Sequence, residues 1–186
     1  MSCAEVGNGL WDAILRIKMI KLKLSLTAFF TGWFFAVLQF GFLMLLQINI
    51  SSAYLTYMVI TLSWMTGTVS GLWIPRLSMP LGVGLGTISY YIVYTLVSYN
   101  PFSPLTLPVA SIGVAISGLW AGHFFVTMLD KSMPTDSIFF HENNGFIVGL
   151  VTFFAGFTQI GRPFLLYVPL ALALGLLISS RLKKTS

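Results

Sequence analysis

The sequence predicts an all-α integral membrane protein of six transmembrane helices, with both termini cytoplasmic, preceded by a short amphipathic interfacial helix. Three observations carry this prediction. Of 186 residues, 56% are hydrophobic and only 8% are charged, whereas about a quarter of a soluble domain is charged. Six apolar stretches, at 24–48, 52–74, 80–98, 106–128, 137–159 and 163–180, each approach or exceed the ~17 to 25 residues that a spanning helix needs. With the N-terminus inside, Arg16, Lys18, Lys21, Lys23, Arg76, Lys131, Arg181, Lys183 and Lys184 all fall on the cytoplasmic side and only Arg162 falls outside, as the positive-inside rule expects.

The expected organisation is a cytoplasmic segment with a basic amphipathic helix (1–23), a six-helix transmembrane domain (24–180) and a basic cytoplasmic tail (181–186), in the inner (plasma) membrane. The formal charge of +5 does not indicate nucleic acid, because the basic residues flank helix ends instead of forming a patch with interleaved aromatics. Cys3 is the one cysteine and has no internal disulfide partner. No cleavable signal peptide is expected, since the first apolar stretch is long and follows a basic segment.

Each element has its own grounds. Residues 8–24 place Trp11 and neighbouring apolar residues to one side and Arg16 and Lys23 to another. With Lys18 and Lys21, they form the expected membrane-surface segment, basic groups facing anionic headgroups. The first span carries Gln39 between Gly32 and Gly41, where an interhelical hydrogen bond is the expected use of a glutamine in lipid. A short turn, INISS, makes the first two helices expected antiparallel neighbours. The second span has Ser63, Gly67, Ser70 and Gly71 on one face and ends at Trp73 and Pro75-Arg76.

Pro80 opens the third span, where its missing N–H costs little. The run Gly82 to Thr87 lies inside an apolar span with no preceding strand, which excludes a nucleotide loop and leaves Gly82 and Gly86 as close helix contacts. Tyr90, Tyr91, Tyr94, Tyr99 and Phe102 lead to an outer loop at NPFSP. The fourth span carries Ser111, Ala115, Gly118 and Gly122 at packing spacing, then His123. The sixth opens with Arg162-Pro163 and contains Pro169, where a kink is expected.

The fifth span, DSIFFHENNGFIVGLVTFFAGFTQ, holds the most informative residues. Glu142, Gly145, Gly149, Thr152, Gly156 and Gln159 recur at spacings of three and four, so a packing face carries an acid. Small residues at this spacing let a second helix approach closely, and an ionisable group in lipid needs a partner. His123 and Glu142 sit at similar depth from the inner ends of helices joined by a short loop, so His123 is the leading candidate partner. His123, His141, Glu142, Asn143 and Asn144 form the expected polar intramembrane cluster. The two halves, 24–98 and 106–180, start on opposite sides of the membrane, and each has an arginine and a proline between its second and third helices, Pro75-Arg76 and Arg162-Pro163. That pattern points to an inverted repeat.

The runs LTAFFTGWFFAVLQFGFLMLL and YLTYMVITLSWMTGTVSGLWIPRL, with the later SGLWAGHFFVTML and IFFHENNGFIVGLVTFFAGF, resemble the multi-helix membrane domain of spermidine synthase-like proteins. The resemblance implies a six-helix unit similar to half of a major-facilitator transporter. It does not imply the enzyme, whose soluble part would follow the last helix, where six residues follow Ser180.

Catalysis is therefore not expected. The first functional expectation is a non-catalytic membrane subunit or scaffold that joins other membrane subunits or its own copies through glycine-rich helix faces. The second is a small transporter or channel protomer using Glu142 with His123 or His141. The third is a haem- or quinone-associated redox subunit, with the two histidines as axial ligands. The cofactor, if any, is left open.

Overall fold

The computed structural model describes residues 3–50, 53–130 and 133–181. Among them are six α-helices and no strand: α1 (Cys3–Ile50), α2 (Ala53–Leu72), α3 (Met79–Tyr99), α4 (Thr106–Leu129), α5 (Thr135–Ile160) and α6 (Arg162–Arg181). All but α2 are long and apolar enough to cross a membrane. The shortfall of α2 follows from its content, with Ser63, Trp64, Thr66, Thr68 and Ser70 diluting the aliphatic residues.

The basic N-terminal segment is not a separate helix. It is the first part of α1, which runs unbroken for 48 residues, roughly 70 Å at 1.5 Å per residue. No glycine or proline interrupts residues 10–31, so nothing ends the helix where a surface segment would have to turn. Arg16, Lys18, Lys21 and Lys23 are exposed along it, and so are Leu15, Ile17, Met19, Ile20 and Leu22. The side chain of Trp11 lies outside the described residues, as do those of Lys131, Arg181, Lys183 and Lys184.

Proline and glycine set the helix ends as the sequence anticipates. Pro80 lies in the first turn of α3. Gly161 alone separates α5 from α6, at φ 70°, a left-handed conformation that glycine adopts without steric cost. Beside it, Arg162 donates to Asn49 Oδ1 at 3.2 Å, tying the start of α6 to the end of α1. Pro169 lies inside α6 and removes the donor that the Leu165 carbonyl would otherwise meet. Tyr90 of α3, fully buried, supplies that donor instead, its hydroxyl reaching Leu165 O at 2.9 Å. Tyr91 donates in the same way to Leu166 O.

Helix pairing departs from chain order. The closest partners are α1 with α5 and α2 with α4, and both pairs are parallel. A Cβ on Gly67 would collide with the Ala115 carbonyl, one on Gly71 with that of Leu119, and one on Gly122 with that of Thr68. In the other pair, a Cβ on Gly32 would strike the Glu142 carbonyl and one on Gly145 that of Phe29, while one on Gly149 would lie 2.7 Å from Ala36 Cβ. In each pair the contact advances in the same direction along both helices. By contrast α3 and α4 are antiparallel, Gly82 lying against Trp120 and Gly113 against Val93. Connection length does not decide the pairing: α3 and α4 pack along their lengths, yet α1 and α4 each make their closest backbone approach to a helix that is not a chain neighbour, because glycines on α1/α5 and α2/α4 admit the facing backbone.

These two pairs are copies of each other. A single shift along the chain carries Phe29, Gly32 and Trp33 of α1 onto Ala115, Gly118 and Leu119 of α4, and a second shift carries Trp64, Gly67 and Gly71 of α2 onto Glu142, Gly145 and Gly149 of α5. Three contacts then have their counterparts: Gly67 meets Ala115 as Gly145 meets Phe29, Gly71 meets Leu119 as Gly149 meets Trp33, and Gly118 meets Trp64 as Gly32 meets Glu142. The same shifts superpose the buried positions, Ala28, Thr31, Phe34 and Leu38 onto Val114, Ser117, Trp120 and Phe124, and Ile60 onto Ile138. The Arg-Pro pairs do not fall on these shifts, because α5 extends well beyond the point matching the end of α2.

Two three-helix groups result, α1 with α5 and α6, and α4 with α2 and α3. Large aromatics fill the space between and within them. Phe34, Phe42, Tyr90, Trp120 and Phe124 are buried in the main core, with Phe35 edge-on to Phe124 at 6.0 Å where α1 meets α4. Val37, Phe153, Phe164 and Leu165 form a second cluster where α1, α5 and α6 meet.

Candidate functional site

Glu142 lies on the face of α5 that contacts α1. Ile138, Glu142, Gly145, Gly149 and Phe153 are the buried residues of that helix, and their spacing of three and four defines one stripe. Glu142 is only 8% exposed, about 10 Å along the helix from Thr135 at 1.5 Å per residue. Its backbone abuts Gly32. Under the repeat it occupies the position held by Trp64 in α2, so the second half has a carboxyl group where the first has an indole.

His123 does not answer Glu142. Its Nε2 accepts the backbone N–H of Leu77 at 3.1 Å, pinning the α2–α3 loop to the C-terminal part of α4. An imidazole that accepts at Nε2 carries its proton on Nδ1, and His123 Nδ1 is buried with no hydrogen-bond partner among the described residues, as is Trp120 Nε1 nearby. The expected pairing fails because the two side chains belong to different contacts, Glu142 on the face of α5 toward α1 and His123 against the α2–α3 loop. Helices α4 and α5 touch chiefly near their connecting loop, where Phe125 and Phe139 stack at 4.8 Å between centroids. With Nε2 engaged, His123 is not set up as an axial haem ligand.

The rest of the expected cluster is not brought together. His141 is half-buried and packs edge-on to Phe140. Asn143 and Asn144 are exposed, Asn144 on the side of α5 opposite Glu142 and Asn143 about a quarter turn from it, among Phe140, Ile147, Val151 and Phe154, which are also exposed. Asn144 Nδ2 donates back to Phe140 O, and Asn143 has no side-chain partner among the described residues. Gln39 is half-buried and likewise makes no hydrogen bond among them.

No protein-family model, no curated protein and no solved structure matches the chain. The comparisons therefore do not bear on the likeness to the spermidine synthase-like membrane domain.

Of the nine glycines singled out from the sequence, eight lie at close contacts inside the chain, and Gly86 is at ordinary van der Waals distance from its neighbours. Gly67, Gly71, Gly118 and Gly122 join α2 to α4, and Gly145 and Gly149 join α5 to α1. Gly82 and Gly86 lie against α4 and α1, and Gly156 against Phe164. These faces are occupied within the fold and are not free for another protein. What sequence reading missed is the tyrosine pair at Pro169, whose signal was present: a proline inside an apolar helix leaves a carbonyl that some donor must reach.

Proposed function

We propose that the chain is a small transporter protomer crossing the membrane six times with both termini cytoplasmic, in which Glu142 takes up a proton or a cationic solute. The observation that carries this reading is the repeated parallel pair, α1/α5 and α4/α2, with like glycine contacts in each. Transporters use such inverted repeats to expose a site alternately to the two sides, rocking one group against the other. The parallel pairs α1/α5 and α2/α4 and the antiparallel α3/α4 support alternating passage of all six helices, α2 included. Glu142 supports the assignment further, because a buried acid at membrane depth is costly and is a functional candidate by default. The likeness to half of a major-facilitator unit agrees with it.

The test is uptake by proteoliposomes driven by an imposed proton gradient. Glu142→Gln keeps the shape and removes the charge, so it should leave thermal stability within about 1 kcal/mol while reducing uptake by at least tenfold. Unchanged uptake by this variant would sink the assignment.

A second reading, a non-catalytic subunit of a larger membrane complex, is favoured by the outer face of α5. Asn143 lies where lipid offers an amide no hydrogen bond, so a neighbouring membrane chain supplying one would be stabilised by roughly 1 kcal/mol. Gentle extraction followed by native mass measurement separates the readings. A hetero-assembly that Asn143→Leu disperses would favour the subunit; a monomer or homo-oligomer indifferent to Asn143→Leu would count against it.

A further inference from the structure

A cavity of about 330 Å³ lies between the N-terminal part of α1 and the start of α5. Its walls are Ile17, Ile20, Leu24, Met133 and Pro134, and its polar groups are Lys21, Ser25 and Ser137. The volume is that of a small-ligand site, which is mostly apolar with a few convergent polar groups. None of those three polar side chains has a hydrogen bond or ion pair among the described residues. Asp136 precedes Ser137 but is exposed and does not line the cavity.

We propose that this cavity is a binding site for one anionic phospholipid of the cytoplasmic leaflet. Lys21 sits where it can neutralise a phosphate, the Ser25 and Ser137 hydroxyls can donate to its oxygens, and the apolar walls receive the glycerol and upper acyl carbons. Two features select a lipid over a free anion. Five of the eight lining residues are apolar, which a bare phosphate would leave unsolvated. The cavity also lies beside the exposed Lys18, Lys21 and Lys23 of α1, and juxtamembrane cations attract anionic lipid. By bridging α1 and α5 at their inner ends, the lipid would join the two helices below the Gly32–Glu142 contact.

The proposal rests on the membrane-spanning reading alone and not on transport. The experiment is native mass spectrometry of the full chain taken from phosphatidylcholine vesicles containing roughly one-fifth phosphatidylglycerol, with bound lipid followed as detergent is stripped. The wild type should retain one phosphatidylglycerol in preference to phosphatidylcholine. Lys21→Gln, at an exposed position, should lower that preference about fivefold, equivalent to about 1 kcal/mol for one lysine–headgroup contact. Ser137→Phe fills the cavity without changing charge and should lower it as far. Arg76→Gln removes the same charge outside the cavity and should keep it. Equal loss in Arg76→Gln and Lys21→Gln with none in Ser137→Phe would reduce the effect to diffuse surface charge and overturn the site. No preference in the wild type would overturn it as well. A chain that never enters the vesicles fails the membrane reading itself, a result distinct from one that enters and keeps no phosphatidylglycerol.

Discussion

Replacing Gly122 by leucine is expected to destabilise the α2–α4 pair and with it the bundle. The Cβ alone would collide with the Thr68 carbonyl and lie 3.1 Å from Leu72 N, so the obstacle is backbone, which cannot rotate away as a side chain tip does. Overpacking a core costs about 1–3 kcal/mol and sometimes more. A backbone obstacle puts this substitution at about 3 kcal/mol or above, a fall of roughly 10 °C in the unfolding midpoint for a chain of this size. Gly84→Leu is the control, since a Cβ there meets nothing within 4 Å. Thermal unfolding in detergent, followed by tryptophan fluorescence, reads both. Equal midpoints for the two variants would mean that the α2–α4 approach contributes nothing to stability.

The second large effect is expected at Tyr90. Its hydroxyl satisfies the carbonyl that Pro169 orphans, in an interior where no water replaces it. Tyr90→Phe leaves Leu165 O buried and unpaired, a loss of about 1–3 kcal/mol. Pro169→Ala restores an N–H within α6 that can reach the same carbonyl. In that background the tyrosine hydroxyl should matter less, and a double-mutant cycle should give a coupling of about 1 kcal/mol. Strict additivity would show that the two residues act separately. The pairing also explains how a helix with an internal proline runs through to Arg181: a neighbouring helix supplies what its own backbone cannot.

The sequence made the helices legible because apolar length and charge placement are local properties. Each observed helix lies within a few residues of its predicted span, apart from the N-terminal extension of α1. The partners of those helices were less legible. Loop length says which ends are near, but the choice of α5 over α2 as the neighbour of α1 depends on Gly32 meeting the Glu142 backbone while Gly145 meets that of Phe29, a property of pairs. Likewise Glu142 and Asn143 are adjacent in sequence, yet one is buried against α1 and the other faces outward, because Gly145 and Gly149 fix the rotation of α5. His123 and Glu142 shared a depth, which periodicity can supply, but not a side, which it cannot. The internal duplication left its trace in the glycines and their neighbours, where backbone contact constrains residue size, and not in the Arg-Pro pairs near helix ends.

The pairing of α1 with α5 also orders events during synthesis. When α1 leaves the ribosome its partner is roughly 100 residues away, which at ~5 to 20 residues per second is a delay of about 5 to 20 s. Helix α2 waits about half as long for α4. Through that interval α1 stands in the bilayer with Gly32 and its small-residue face uncovered, open to any other helix that presents a matching surface. The α1 face therefore closes late, when α5 arrives. A nascent chain halted before α5 would hold a completed α2–α3–α4 group and an α1 whose Gly32 face is still uncovered.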